Sequence, residues 1–261
     1  MPCFAASSET EDANTRGGAI FLFHGRLNDF FKSSREKPLV YTFKNHPTVK
    51  HAVESIGVPH PEVGSVLIEE KEVGFSHLLK GGERFDVFPV TGNWLYRDSS
   101  LRHHYRGRPR FVIDVHLGTL ARRLRLLGFD ALYSNQYHDH EIALCASSER
   151  RIVLTRDINL LMWCDIVYGC WVRSQDPDRQ LPDVLDHFAL RPWIQPFHRC
   201  TVCNGRIEHV ERADVRDVVK PEIWEYYRKF YRCSSCGRIY WKGTHFQRME
   251  QLVSSCAVTD R

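Results

Sequence analysis

Two sets of residues in this 261-residue chain are spaced as reactive or metal-binding groups would be. The first is a set of carboxylates. Asp114 stands directly behind the apolar run Phe111, Val112, Ile113, and Asp157 closes "RIVLTRD"; between them, Asp139 and Glu141 open a helical stretch in "HDHEI". A strand that ends in an acid must supply it with a cation, a donor network or a metal, because an unpaired buried carboxylate is expensive. If three or four of these acids converge, only a cation relieves their repulsion, and oxygen-only ligands select a hard divalent ion, Mg2+ or Mn2+. Such an ion activates water and neutralises charge on a scissile phosphate, which is the chemistry of phosphodiester hydrolysis. Each of the same acids is also a favoured N-cap, and capping alone would account for its position.

The second set is the cysteines of "HRCTVCNGR" and "YRCSSCGRIYW": Cys200, Cys203, Cys233 and Cys236, in two Cys-x-x-Cys pairs separated by 29 residues. Paired knuckles, each with glycine at or just after the next position, match structural Zn2+ in a ribbon or treble-clef-like setting, and four thiolates close its coordination shell. A redox pair is the weaker alternative. His198 and His245 are not needed to complete the set.

The elements that must position these groups follow from periodicity. From residue 17 to 92, the strands "AIFLFHG", "LVYTF", "SVLIEE" and "RFDVFPV" surround a helix striped by Val49, Val53 and Ile56, which is a small β-β-α-β-β unit. Its arrangement resembles a ubiquitin-like β-grasp domain, and "LLKGGERFDVFPV" resembles the last turn and strand of the sulfur carriers. Those carriers use a free terminal Gly-Gly, whereas Gly81 and Gly82 are internal. A docking or regulatory role toward a protein partner, or simple stabilisation, is the expectation. Residues 93–109 have linker composition. From 110 to 192, strands "RFVID", "ALYS", "RIVLT" and "DIVYGCWV" alternate with helices, including one over 139–150 and one striped by Leu181, Val184, Leu185 and Phe188. Alternation of this kind gives a mostly parallel sheet covered on both faces, with ligands outside the carboxyl ends of its strands. Cys145, Cys164 and Cys170 are expected there as small buried hydrophobes. Residues 193–250 form the zinc ribbon, with Trp224, Tyr227 and Tyr231 at helical spacing as its small core; 1–16 and 251–261 are expected as tails.

"FVIDVHLGTLARRLRLLGFDALY", "RIVLTRD" and the knuckles ending in "CGRIYWKGTHFQRM" together resemble the Mut-seven C-terminal ribonuclease family, a PIN-like nuclease domain fused to a zinc ribbon. The β-grasp segment resembles the ubiquitin-like domain that precedes it in bacterial members. The resemblance implies an α/β fold: a PIN-like three-layer domain with a ubiquitin-like β-grasp domain before it and a zinc ribbon after it. It also implies a metal-dependent ribonuclease in which Asp114, Glu141 and Asp157 hold the Mg2+ or Mn2+, with Asp139 as a fourth candidate. The middle cluster is poorer in acids than the family pattern, since Gln136, His138 and His140 fill it; neutral histidine suits Mn2+ better than Mg2+. The alternative is a non-catalytic RNA-binding adaptor with a degenerate site.

Composition bounds these readings. Hydrophobic residues make up 43% of the chain, and a net charge of +4 is too small to argue for nucleic acid by itself. The charge is uneven, however: residues 101–125 hold seven arginines against the single acid Asp114. Arg122, Arg123 and Arg156, with Lys229, Arg232, Arg238 and Lys242 of the ribbon, are therefore the expected RNA contacts. No apolar run is long enough to span a bilayer. Nine cysteines, four of them in knuckles, argue against a secreted disulfide framework and for a reducing, cytoplasmic setting.

Overall fold

The computed structural model describes residues 17–32, 37–92, 95 and 97–257. The expected tail at 1–16 lies outside them, as do residues 258–261.

The first unit contains β1 (Gly17–Phe23), β2 (Leu39–Phe43), α1 (Val49–Ile56), β3 (Val63–Ile68), β4 (Lys71–Glu72) and β5 (Arg84–Pro89). Strand order β2-β1-β5-β3-β4, with β1 and β5 parallel at the centre, is the β-grasp arrangement. Helix α1 starts where Thr48 Oγ1 accepts from His51 N at 3.2 Å, and buries Val49, Ala52 and Val53 against the sheet. Phe21 and Phe85 stack at the centre with ring centroids 4.7 Å apart. Gly81 and Gly82 both have positive φ and form a turn in which Gly82 N donates to Gly18 O at 2.7 Å. The pair is built into the domain rather than offered as a conjugating end.

The second unit runs β6 (Arg110–Ile113), α2 (Gly118–Leu126), β7 (Asp130–Tyr133), α3 (Asp139–Glu149), β8 (Ile152–Thr155), α4 (Ile158–Leu161), β9 (Gly169–Trp171) and α5 (Pro177–His187). Its sheet is wholly parallel in the order β7-β6-β8-β9. Alternation along β6 and β8 makes the layers. Phe111, Ile113, Ile152 and Leu154 face α2 and α5, while Val112 and Val153 face α3 and α4. Strand β9 is shorter than the run "DIVYGCWV" suggests. Of the cysteines expected to be buried here, Cys170 is, Cys145 is half-buried and Cys164 is exposed.

The third unit comprises β10 (Ile207–Val210), α6 (Pro221–Tyr226), β11 (Phe230–Cys233), β12 (Ile239–Tyr240) and α7 (Thr244–Ala257). Two expectations need correction. Trp224, Tyr227 and Tyr231 do not share a helix, because α6 ends at Tyr226, Tyr227 is extended and Tyr231 lies on β11. Pairing with β10 and burial of Phe230 outweigh the helical spacing. Nor is the chain a tail from 251: α7 continues to Ala257 and packs Leu252, Val253 and Cys256 against the core of the second unit. The spacing of those apolar residues is helical, so their burial drives the helix back onto the domain.

The segment at 93–109 is likewise no free linker in its described part. Leu95 and Tyr105 are in the core of the second unit, and Tyr105 Oη donates to Arg150 O at 2.6 Å. Arg102 is buried and donates to the carbonyls of His60 and Pro61 at 3.0 Å each, and to that of Val63. No helix among the described residues is long and apolar enough to cross a membrane.

Candidate active site and metal centre

The carboxyl ends of β6 and β8 lie side by side, with Ile113 opposite Leu154, so the residues that follow meet across the sheet edge. Asp114 N donates to Leu154 O at 3.0 Å, which fixes the turn out of β6. The Asp114 side chain is 6% exposed. Its Oδ2 accepts from Thr155 Oγ1 at 2.7 Å, and the same hydroxyl oxygen accepts from Asp157 N at 2.8 Å. Thr155 thus ties the two acid-bearing strand ends together. It is a residue that the sequence reading missed; the available signal was a hydroxyl at the end of an otherwise apolar buried strand, two positions before an acid. No Lys, Arg or His among the described residues lies within ion-pair distance of Asp114. A buried carboxylate with one hydroxyl donor and no cationic partner is poorly compensated by the protein alone.

The other acids are arranged differently. Asp157 is exposed, and its Oδ1 caps α4 by accepting from Asn159 N at 2.8 Å. Glu141 is half-buried and reaches back to cap α3, accepting from His138 N at 2.8 Å. Glu141 also lines a cleft of about 730 Å3 with Val115, the residue after Asp114, and with Ser134 to His138. Asp139 is exposed on the first turn of α3, beside the stacked rings of His138 and His140, whose centroids are 5.8 Å apart. Among the described residues, no three carboxylate or imidazole groups bring ligand atoms within 4.8 Å of one another. The edge therefore joins Asp114 to Asp157 through Thr155, while Glu141 borders the neighbouring cleft. That arrangement still suits Mg2+ or Mn2+, which ordinarily takes one or two protein carboxylates and keeps its remaining positions for water and substrate phosphate.

The arginine-rich segment is mostly structural. Arg108 donates to Gly128 O at 3.1 Å, Arg110 to Glu149 O, and Arg123 to Pro177 O and Asp178. Arg125 is 3% exposed and spans two units: Nε donates to Ala131 O at 2.8 Å and Nη1 to Val202 O at 2.9 Å and Thr201 O at 3.3 Å. Of the seven arginines, Arg106 and Arg122 are exposed with no hydrogen bond or ion pair among the described residues. Arg156, between Thr155 and Asp157, has a buried Nε with no hydrogen-bond partner among them.

At the other end of the chain, the four cysteine sulfurs lie within 4.8 Å of one another, with Cys203 and Cys233 3.4 Å apart and Cys200 and Cys236 3.8 Å apart. Sulfurs about 2.3 Å from a tetrahedral Zn2+ stand at this mutual spacing, so the cluster fits that ion. Gly205 is required beneath it, since a β-carbon there would stand 2.7 Å from Cys233 Sγ. Burial raises the Cys200 thiol, but hydrogen bonds from Tyr240 Oη and the backbone N–H groups of Cys203 and Val202 overcome this and bring it down to about 6. Burial, with hydrogen bonds among the thiols, pushes Cys203 up to about 12. Four such thiols ionise together only around a cation. The first knuckle is fastened to the α/β unit by Arg125 and by Asp130, whose carboxylate accepts from Asn204 Nδ2 at 2.8 Å, Arg151 at 2.8 Å and Arg199 at 3.2 Å. Lys229 and Arg238 are exposed, Arg232 donates to Asp214 O at 3.0 Å, and Lys242 borders a cavity between ribbon and α7.

The β-grasp unit meets the same sheet at β9. Glu62, fully buried, accepts from Trp171 N at 2.6 Å and lies 3.5 Å from Arg173 and 3.8 Å from Arg26. Arg173 also pairs with Asp29 at 2.8 Å, and Arg26 donates to His187 Nδ1. Burial, then the nearby Arg26 and Arg173, hold His187 well below the ordinary histidine range.

A parallel three-layer α/β domain with acids at its strand ends, a four-cysteine ribbon behind it and a β-grasp domain in front defines a PIN-like, ribbon-bearing protein. Family comparison agrees: the model of the Mut7-C RNAse domain matches residues 109–253, and that of Mut7-C ubiquitin matches 17–94. The chain belongs to the Mut7-C RNAse domain family. None of the curated proteins matches it. A solved structure with some similarity is the HVO 2177 protein of Haloferax volcanii, 16% identical over 33% of this chain and 95% of that one, with a TM-score of 0.25.

Proposed function

We propose that the chain is a divalent-metal-dependent ribonuclease that hydrolyses RNA phosphodiester bonds at the carboxyl edge of β6 and β8. The observation that carries this reading is the buried Asp114 carboxylate, held by Thr155 and lacking a cation, in a chain of a ribonuclease-domain family. Asp114 and Asp157 would hold Mg2+ or Mn2+, with Glu141 and Asp139 facing the substrate from the α3 side. Once bound, the ion would activate water and neutralise charge on the scissile phosphate. Thr155 orients Asp114, and Arg156 and Arg122 offer guanidinium groups to flanking phosphates. His138 and His140 beside the cleft favour Mn2+ over Mg2+. Zn2+ in the Cys200, Cys203, Cys233 and Cys236 cluster is structural and holds the ribbon against the nuclease domain, where Lys229, Arg232, Arg238 and Lys242 add RNA contacts. The β-grasp domain presents the surface away from β9 to a protein partner. The remaining free thiols suit a reducing, cytoplasmic compartment.

A specific observation favours a second reading, an RNA-binding adaptor without catalysis: Asp157 and Glu141 both serve as helix caps, and no three acids gather among the described residues. Cleavage of end-labelled single-stranded and structured RNA in Mn2+, Mg2+ or EDTA, by wild type and Asp114→Asn, separates the two. Metal-dependent cleavage lost in the variant supports the nuclease. Intact RNA in every wild-type lane, with folding and zinc content unimpaired, supports the adaptor.

A further inference from the structure

The ribbon carries a cavity that the acid edge does not use. It encloses about 480 Å3 between the three-stranded sheet, the segment at 196–199 and helix α7, a volume within the range of small-ligand pockets. Strand register explains its floor. His209 lies opposite Tyr231, and Tyr231 opposite Tyr240, so the three rings form one row across β10, β11 and β12 on the same sheet face. Antiparallel partners share a face. Tyr240 Oη is 2.9 Å from Cys200 Sγ, which anchors that end of the row to the four-cysteine cluster.

The walls are also aromatic. Phe197 and Phe246 face each other with centroids 4.7 Å apart, and Trp241 closes a third side. Phe197 has φ of +65°, a costly conformation for a bulky side chain, and is held in it by its N–H bond to Leu126 O at 2.9 Å. Strain of this kind persists only where the surroundings impose it, and it gathers at ligand sites.

Charge selects the ligand. Lys242 stands with Nζ 4.8 Å from the Phe246 ring centroid, and His198 and His209 are exposed at the rim; Glu250 is the one acid in the lining, and Glu211 lies 4.0 Å from His209 Nδ1 outside it. Arg199 lines the cavity too, but it is already engaged by Asp130 and Asn204 O. An aromatic slot with a lysine at its rim is the composition that stacks a base and holds its phosphate in single-stranded nucleic acid.

We propose that this cavity is a base-binding pocket that takes one unpaired nucleobase of single-stranded RNA between Tyr231 and the Phe197–Phe246 wall, with its phosphate on Lys242. The proposal rests on the ribonuclease reading and names where the substrate strand is gripped away from the acid edge. It also sorts the basic residues of the ribbon: Lys242 belongs to the pocket, whereas Arg232 points from the opposite face of β11.

The test uses the full zinc-loaded chain in an Asp114→Asn background, without added divalent ion, so that binding is read apart from cleavage. Anisotropy of a 5′-fluorescein-labelled octaadenylate is followed at 100 mM salt to compare variants and across a salt series to read the salt slope. Loss of one base–aromatic stack weakens binding by about 5- to 150-fold, so Tyr231→Ala should do so while Tyr231→Phe restores wild-type binding. Phe246→Ala should weaken it similarly, and Lys242→Ala should also flatten its salt dependence. AMP should compete and ribose 5-phosphate should not. The proposal is overturned if the Asp114→Asn parent does not bind the octanucleotide. Binding within twofold of wild type in both alanine variants, with zinc content unchanged, would overturn it as well. So would competition by a blocked Asp-Trp-Glu peptide but not by AMP, which would make the cavity a peptide site. Because cleavage is assayed separately in chains with Asp114 intact, failure of the pocket leaves the nuclease reading standing, and failure of cleavage leaves pocket binding measurable.

Discussion

Arg125 offers a quantitative check on the claim that its side chain, within the arginine-rich helix, joins two units rather than meeting RNA. Arg125→Met keeps the aliphatic bulk of the buried side chain and removes its donors. Two bonds are short, at 2.8 Å to Ala131 O and 2.9 Å to Val202 O, and a third to Thr201 O is 3.3 Å. Hydrogen bonds from a charged donor contribute about 1.5–3 kcal/mol each, so the short pair alone gives roughly 3–6 kcal/mol on that basis. Part of this is offset because burial disfavours the guanidinium, as the downward shift of its pKa shows. The net loss should be about 2–4 kcal/mol, or roughly 5–15 °C in Tm for a protein of this size. Val202 lies inside the first knuckle, so zinc release to a chromophoric chelator should accelerate together with unfolding. Arg122→Met, on the exposed face of the same helix, should stay within about 0.5 kcal/mol of wild type. Urea melts and chelator kinetics on both variants decide the matter. Equal stability of the two, or a larger loss for Arg122→Met, would refute the structural role of Arg125.

Asp114→Asn is isosteric and can still accept from Thr155, so it should fold normally while any RNA cleavage falls by at least about 100-fold; labelled-RNA assays read it. Thr155→Val should reproduce part of that loss, because it leaves the buried carboxylate without its donor; a variant as active as wild type would exclude this orienting role. Acid should loosen the contact between the β-grasp and α/β units. His187 titrates near 6.5 when unfolded but refuses a proton in the fold, and His60 is lowered in the same direction, chiefly by burial. Their contribution is intact above pH 6.5 and is lost as pH falls below it, at about 1.4 kcal/mol per pH unit for His187 and up to the same for His60. Melts from pH 7.5 to 5.5 should therefore show a slope that diminishes in His187→Gln. Glu62→Ala, which leaves Arg26 and Arg173 facing each other without their buried anion, should cost about 3–5 kcal/mol in a chemical melt.

Local signals carried the sequence reading a long way. Apolar runs ending in acids placed Asp114 and Asp157 at one edge of a parallel sheet, and the Cys-x-x-Cys spacing gave a cluster whose sulfurs do converge. Both features depend on residues close in sequence. What sequence could not disclose were the partners contributed by distant segments. Arg125 looks like its neighbour Arg122 until the carbonyls of Thr201 and Val202 arrive beneath it. Tyr231 keeps helical spacing with Tyr227, yet pairing with β10 puts it on a strand. Residues 251–257 look like a short remnant, although helix α7 buries their apolar side on the nuclease core. Glu141 has the right type and position for a metal ligand, but its carboxylate caps its own helix.

The β-grasp domain is better understood through one carboxylate than through its likeness to ubiquitin. Glu62 has no exposed surface and is spent on the N–H of Trp171 and two arginines of opposite units. Trp171 is paired in register with Thr155, and Thr155 holds Asp114. The chain of contacts from the β-grasp domain to the acid edge therefore runs through backbone pairing and buried hydrogen bonds, with no flexible side chain between β9 and β8. A domain tethered only by a linker could drift without moving Asp114. This one is bonded to the strand next to it, and the Arg102 contacts with the carbonyls of His60 and Pro61 fasten the connecting segment as well. The acid edge is thus joined on its β9 side to the β-grasp domain, while the cleft beside Glu141, lined by Val115 and residues 134–138, lies on its β7–α3 side.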